Sequence, residues 1–344
     1  MPSSIVLTAV FGDMILAGAA LGATGVMVAS FAINFAVSVL LTRVFGADQP
    51  TQQNQQDSGT GNRQQVPPSS ANTLPIVYGT AYLGGTFVDA VMTTDQKVMY
   101  YVLAISSISE NGQFTFNTND MYFGDRKITF KTTGNTAAVA GLTDEAGNYD
   151  TSVASGDLIQ IYLYTSDASG TITPENSSSL PSTVMGGVDI DVAYRWPLTD
   201  RQMNGLAFAI VKLTYSREAN TTQIQPVTFY VNHFLNGTGV AKAGDVWYDY
   251  MTNPYYGGAI DLAYVDTTTR DTLNTYSDEL ITFIPVGGGI SSQPRYRING
   301  PVNTGQNCLT NLQDLTDACD SWLQYSELTG QWKVVINQSY TDYT

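Results

Sequence analysis

Val98-Met-Tyr-Tyr-Val-Leu-Ala-Ile-Ser-Ser-Ile108 is a run of β-branched, aromatic and aliphatic residues, followed by Glu110-Asn111-Gly112. Val, Ile and Tyr suit a pleated, packed surface, and Asn-Gly suits a tight turn. The stretch predicts a strand and then a turn, and the same signature recurs along the chain. Met121-Tyr122-Phe123 and Lys127–Phe130 read as short strands, and Leu158–Tyr164 (LIQIYLY) alternates well. Leu206–Tyr215 and Val227–Phe234 read as a paired set of core strands. After Leu158–Tyr164, Thr165–Ser182 is rich in Ser, Thr, Gly and Pro and predicts a surface loop or insertion. The β-rich body begins at Leu74-Pro75-Ile76-Val77-Tyr78-Gly79.

After Asn236 the apolar period changes from two to between three and four. Ala243–Met251 places Val246, Trp247, Tyr250 and Met251 on one helical face, stopped by Asn253-Pro254. Asp266 is the expected N-cap of a helix whose Leu273, Tyr276 and Leu280 share a side. Leu309, Leu312, Leu315, Cys319, Trp322 and Leu323 predict one helix over Asn307–Leu323, followed by a Thr329-Gly330 turn and a strand at Gln331–Ile336. If Trp322 is buried, Trp322→Ala should cost about 3–5 kcal/mol. Cys308 and Cys319 on one helix would lie roughly 16 Å apart. That is too far for a disulfide, so two buried thiols are expected.

Ahead of the body, Met14–Thr42 carries no charge and is bracketed by Asp13 and Arg43. It is long enough to span a bilayer as a helix, but no basic residue precedes it as in a signal peptide. Gly18, Gly22 and Gly25 would let helices approach closely, and Asn34 could bond to its own copies and set register. A membrane anchor, a self-associating bundle or plug, and a buried hairpin all fit. Residues 47–74, with Gln52-Gln53-Asn54-Gln55-Gln56 and Pro67-Pro68, read as a flexible tether. The expected organisation is an apolar helical segment at 1–46, the tether at 47–74, a β-rich region at 75–235 with an insertion around 140–200, and an α+β unit at 236–344. The fold class is mainly β with α+β elements.

Charged residues are 13% of the 344 and the net charge is −15. About 25% charged is usual, so Thr, Ser, Asn, Gln and Gly must supply the polar surface. No Lys/Arg cluster provides the footprint that nucleic-acid binding requires. The acidity either keeps the particle soluble or lets DNA slide past without sticking.

Several segments in order resemble phage tail tip proteins, the central tail hub or lambda-type host-specificity protein J family. Trp247, Asp249 and Met251-Thr252-Asn253-Pro254-Tyr255-Tyr256-Gly257 are similar to that family's "W-D-hydrophobic-T-x-P-x-Y-G" stretch. Pro294–Gly300 (PRYRING) resembles the stretch before its hub helix, and Asn307–Leu323 with Trp332–Ile336 resembles its closing helix and strand. Tyr101–Gln113 and Pro75–Gly85 (PIVYGTAYLGG) are similar to upstream strands of the same family. The resemblance covers most of residues 75 to 336. It implies a homotrimer of tail-tube-like β-domains that closes the tube and adapts sixfold to threefold symmetry, with Trp247, Pro254, Tyr256, Gly257, Leu312, Leu315 and Trp322 in the hub motif. Implied partners are the distal tail protein ring, the tape-measure protein and a tail fibre or receptor-binding protein. The apolar N-terminus adds transient host-membrane contact as an expectation, and the acidic charge adds passage of genomic DNA without sequence-specific binding. Members of the family run further, whereas this chain stops at Thr344, which points to a separate fibre protein or to a longer chain cut there. The apolar N-terminus is absent from the best-known member. A membrane-anchored β-rich adhesin is the alternative, and it leaves the hub-like helix unit unexplained.

No catalytic set, cofactor motif or metal cluster is evident, and the chain is expected not to be an enzyme. His233 reads as a hydrogen-bonded structural residue. Gly287-Gly288-Gly289 reads as a flexible loop rather than a phosphate cradle. Asp189 and Asp191 would share a strand face, and Asp144/Glu145 is a second carboxylate pair, but nothing equips either for glycosidase chemistry. The sequons at Asn176, Asn220 and Asn236 are explained by composition.

Overall fold

The computed structural model describes residues 73–196 and 203–338. The order is β1 (Ile76–Leu83), β2 (Thr86–Met92), β3 (Val98–Ser107), β4 (Gly112–Phe116), β5 (Tyr122–Phe123), β6 (Arg126–Phe130), β7 (Val139–Thr143), β8 (Tyr149–Asp150), β9 (Ile159–Ser166) and β10 (Ile172–Pro174). A short helix α1 (Pro181–Val184) precedes β11 (Leu206–Thr214) and β12 (Val227–Leu235). Then come α2 (Ala243–Thr252), α3 (Thr267–Asp278), β13 (Leu280–Phe283), β14 (Ser291–Pro294), β15 (Gly300–Val302), α4 (Cys308–Asp317), β16 (Ser321–Ser326) and β17 (Gln331–Ile336). The fold is mainly β, as the sequence predicts.

Thirteen strands form one sheet, with the path β10-β9-β11-β3-β1-β12-β5-β6-β7-β8. The sheet curls until its arms meet: Ala138, just before β7, bridges Gln160 on β9, and Ile161 N–H donates to Ala137 O at 2.8 Å. The concave side holds the first core. Alternate residues point there, including Met99, Tyr101, Leu103 and Ile105 of β3 and Ala207, Ala209, Val211 and Leu213 of β11. The intervening residues would face solvent in a simple barrel. Here Tyr100, Val102, Tyr162, Tyr164, Phe208 and Ile210 are covered instead by Met185, Ile190 and Trp196 in a second core. Trp196 lies on Phe208 at 5.8 Å and 4°. Burial on both faces explains why VMYYVLAISSI is continuously apolar rather than strictly alternating.

The third core joins the barrel to the C-terminal unit. Val77, Ala81 and Leu83 of β1 face the barrel interior. Ile76 and Tyr78 on its other face pack with Trp247, Tyr250, Leu273, Leu312, Leu315 and Ile336. β1 pairs antiparallel with both β12 and β15, the latter through Ile76↔Val302 and Tyr78↔Gly300. Gly79 (φ +70°) is needed here, because a Cβ would sit 2.3 Å from Ile298 O. The boundary expected at 235/236 is therefore crossed by a shared strand and a shared core.

Several expectations are corrected. β11 and β12 do not pair with each other, since β3 and β1 lie between them. Sequential strands are neighbours only about two-thirds of the time. Thr165–Ser182 is more than a loop, because it contains β10, paired to β9 through Ile172↔Ser166, and the start of α1. The 140–200 span, expected as an insertion, supplies β9 to the sheet, between β10 and β11, and a lid over the sheet's outer face. The helix expected over Asn307–Leu323 ends at Asp317. Asp320 turns at φ +51°, and Trp322 and Leu323 lie on β16, opposite Val335 and Val334. The three- and four-residue recurrence continued through the turn by coincidence, and a hairpin partner outweighed it. Trp322 is 48% exposed, so the condition for its large truncation cost fails, and Leu309 is also exposed. Leu280 is not on the helix face with Leu273; it opens β13 and is exposed. Cys319 is buried, whereas Cys308 is only half-buried. The N-terminal apolar segment with Gly18, Gly22, Gly25 and Asn34, and the tether up to residue 72, lie outside the described residues.

Candidate functional site

The residues singled out around Trp247 form the joint between barrel and C-terminal unit. α2 ends because Pro254 cannot continue it, and Asn253 folds the chain back. Asn253 Oδ1 accepts from Tyr255 N (2.9 Å) and Tyr256 N (3.3 Å). Gly258 N then donates to Tyr250 O at 2.9 Å, satisfying a helix-end carbonyl. A Cβ on Gly257 would lie 1.9 Å from Tyr250 O, so the fold-back requires glycine. This turn swings Tyr256 under the helix while leaving Pro254 and Tyr255 at the surface. Trp247 is buried at the centre of the same core.

At the joint, one carboxylate gathers three hydroxyls. Asp249 Oδ2 accepts from Tyr78 OH (2.7 Å) and Tyr256 OH (2.8 Å), and Oδ1 accepts from Ser109 Oγ (2.7 Å). Burial, and next the Asp249 charge, push the Tyr78 phenol well above its ordinary pKa, and the same two causes raise Tyr256. Both phenols therefore remain donors. The network continues into the barrel: Ser109 N donates to His233 Nε2 at 3.3 Å, and His233 Nδ1 lies 2.6 Å from Val77 O. A carbonyl can only accept, so Nδ1 carries the proton and Nε2 is the acceptor. Burial lowers the His233 pKa, opposed by the Val77 carbonyl and by Asp249. Gly112 lies against this ring, with a hypothetical Cβ only 2.1 Å from Nε2. The network ties β1, the loop after β3, β12, α2 and the turn after α2 into one unit. All five side chains are buried, and their polar groups bond one another or, for His233, the backbone of Ser109 and Val77.

α4 is fixed to the same joint. Asn311 Nδ2 donates to Tyr250 OH (2.6 Å) and Asn303 O (2.8 Å), while Leu312 and Leu315 point into the shared core. Trp247, Tyr256, Gly257, Leu312 and Leu315, singled out in the sequence by resemblance, thus converge. Trp322 stands apart on the exposed side of β16. Tyr78, Ser109 and Asn311 belong to the site without a sequence signal, since nothing in their spacing distinguishes them from other strand and helix residues.

The surface carries a second feature. Thirteen of the eighteen exposed large apolar side chains among the described residues lie between Tyr255 and Leu328. Leu280, Ile281, Phe283, Ile284, Val286 and Ile290 belong to the β13–β14 ribbon and its tip. At the root, Arg295 Nη2 contacts Glu279 Oε2 at 2.6 Å and its guanidinium lies 4.3 Å over Tyr276. Gly287, Gly288 and Gly289 all have positive φ and make the tip.

The remaining candidates are dispersed. Asp189 and Asp191 lie in the exposed loop that follows α1 rather than on a strand, because this segment is the lid and hydrogen-bonds to Thr94 N through Asp189 O at 2.8 Å. Asp144 caps its own turn, accepting from Asn148 N and Nδ2. Asn176 is held by Leu163 N and Ile161 O. Among the described residues no group of three or more His, Cys, Asp and Glu side chains could hold a metal. No helix among them is long and apolar enough to cross a membrane.

No family model matches the chain, and no curated protein matches it. Among solved structures, the chain is similar to one from the virion of a native gene transfer agent (GTA) particle, with a TM-score of 0.41 and 12% identity. The match covers 88% of this chain and 64% of that one, so it spans less than two thirds of the other's length.

Proposed function

We propose that this chain is a structural protein of a phage-like virion, and more specifically the hub of a tail tip that closes the tube as a homotrimer. The observation that carries the reading is the concentration of uncovered apolar side chains on the C-terminal unit. Contiguous apolar patches beyond a few hundred Å² mark interaction sites. The ordered resemblance to tail tip proteins over residues 75 to 336 supports the same reading. The buried joint fits it too, because a ring subunit must transmit load between its domains without hinging. In this reading the distal tail ring, the tape-measure protein and a fibre protein are neighbours, and DNA passes an acidic wall without sequence-specific contact. The chain acts without catalysis or cofactor.

The test is a density map of intact particles together with native mass measurement of the tip they release. Three copies at the distal end of the tail are expected. A single copy, or a location away from the tail, would overturn the proposal. Carbonate-resistant association with membranes of uninfected cells would favour the adhesin alternative.

A further inference from the structure

We infer that the β13–β14 ribbon of one copy seats on a second copy, against the patch formed by Leu262, Tyr264, Tyr325 and Leu328. The inference rests on the hub reading for the ring, and names the contact that builds it. Four observations carry it.

The ribbon is long, apolar and uncovered. From Leu280 to Pro294 there is no charged residue, and among the described residues neither edge of the ribbon pairs with a further strand. A lone two-stranded ribbon is marginal in water, so this one calls for a cover. Leu280, Ile284, Ile290 and Val286 are 66%, 76%, 82% and 110% exposed. With Ile281 and Phe283 they offer roughly 700 Å², close to the ~800 Å² per partner of a stable interface.

A second and different patch exists on the same unit. Gln331 Nε2 donates to Ala263 O at 3.2 Å, and Val265 bridges Trp332. The 262–265 segment therefore runs along the edge of β17 that β16 leaves free, so Leu262 and Tyr264 flank the hairpin on one side of β17, and Tyr325 and Leu328 lie on β16 and its turn on the other. Two unlike patches on one subunit are what a head-to-tail ring requires, whereas a twofold dimer uses one patch twice.

Charge selects where copies can touch. At a net charge of −15 identical chains repel, so contact is favoured where charge is sparse. The ribbon has none; between Trp322 and Trp332 Glu327 is the sole charged residue, and Asp261 and Asp266 flank the 262–265 segment.

A membrane is the weaker partner. Between Leu280 and Pro294 there is no Lys, Arg, Trp or Tyr. Those side chains are the ones that anchor a segment at the headgroups.

The test uses the full-length chain in solution. One variant carries Ile284→Asp and Val286→Asp in the ribbon, and another carries Tyr264→Asp and Leu328→Asp in the patch; circular dichroism checks that both fold. In sedimentation the wild type should assemble, and each variant alone should show a threefold fall in mass. Mixing the two variants should restore a species of two copies and no larger, because one intact ribbon then meets one intact patch. Variants that keep the wild-type mass would overturn the inference while leaving the hub reading standing. So would a mixture that never pairs, which would mean that ribbon and patch are not each other's partners, and a patch variant that alone keeps the wild-type mass, which would mean ribbon-to-ribbon contact. A wild type that stays monomeric and floats with phosphatidylglycerol–phosphatidylcholine vesicles, losing this with the ribbon variant, would assign the ribbon to lipid. A single copy in intact particles would remove the hub reading itself.

Discussion

Replacing Asp249 by Ala should uncouple the C-terminal unit from the barrel. The carboxylate accepts from Tyr78, Tyr256 and Ser109 at 2.7–2.8 Å. Without it, three buried hydroxyls lose their acceptor. An unsatisfied buried polar group costs about 1–3 kcal/mol. The three share one site and can partly rearrange, so a combined loss of about 3–5 kcal/mol is expected. That is a large fraction of the ~5–15 kcal/mol that holds a domain folded. Tyr78→Phe removes one donor and leaves Asp249 two others, so it should cost about 1–2 kcal/mol. Because the two residues touch, the double variant should fall short of additivity by about 1 kcal/mol or more. Urea unfolding followed by circular dichroism measures the totals. Hydrogen exchange locates them: amides in residues 243–258 should exchange faster in Asp249→Ala, while those in 206–214 change little. An unaltered urea midpoint, or equal acceleration in both regions, would refute the idea that this carboxylate pins the joint.

Further outcomes follow from the same geometry. Trp247→Ala should cost about 3–5 kcal/mol and Trp322→Ala only about 1 kcal/mol, because the first is 1% and the second 48% exposed; thermal unfolding of both variants checks the ranking. Gly112→Ala drives a methyl group into His233 and should cost about 2 kcal/mol or more, while Gly134→Ala meets nothing within 4 Å and should show only the ~1 kcal/mol of a left-handed backbone. The lowered His233 pKa makes stability depend on pH. The unfolded chain binds the proton more readily, so stability is full above about pH 6.5 and falls below it, by at most ~1.4 kcal/mol per pH unit. His233→Gln should flatten that slope in urea titrations between pH 7 and 5. Asp278 is held below the ordinary carboxylate range, chiefly by its hydrogen bond from Lys242. Its contribution should be lost only in a lower window, below about pH 4, and should shrink in Lys242→Met without vanishing, because Arg297 Nη2 still contacts the carboxylate at 2.6 Å.

Local chemistry made much of this fold legible. β-branched and aromatic runs bounded by turn residues predicted β3, β6, β9, β11, β12 and β17 at nearly their observed positions. The helix at Ala243–Thr252 was visible because its apolar period and its Pro254 stop agree, and Asp266 was visible as a cap because its side chain needs only Thr268 N, two residues on. The Trp247–Gly257 stretch stood out because a helix end, a fold-back and a buried tyrosine each demand particular residue types close together in the chain.

What tertiary structure decided was pairing and company. Periodicity gives a strand two faces but does not say what covers them, so the outer-face core beneath Trp196 and the wedge of β1 between two cores could not be read. Trp322 and Leu323 continued a helical recurrence, yet the chain turned at Asp320 because pairing with Val335 and Val334 lay within reach. Tyr78, Ser109, His233 and Asp249 meet only after folding, the first and last separated by 171 positions. No local rule marks such residues, because the free energy that fixes them comes from one buried carboxylate and from donors delivered by three separate segments.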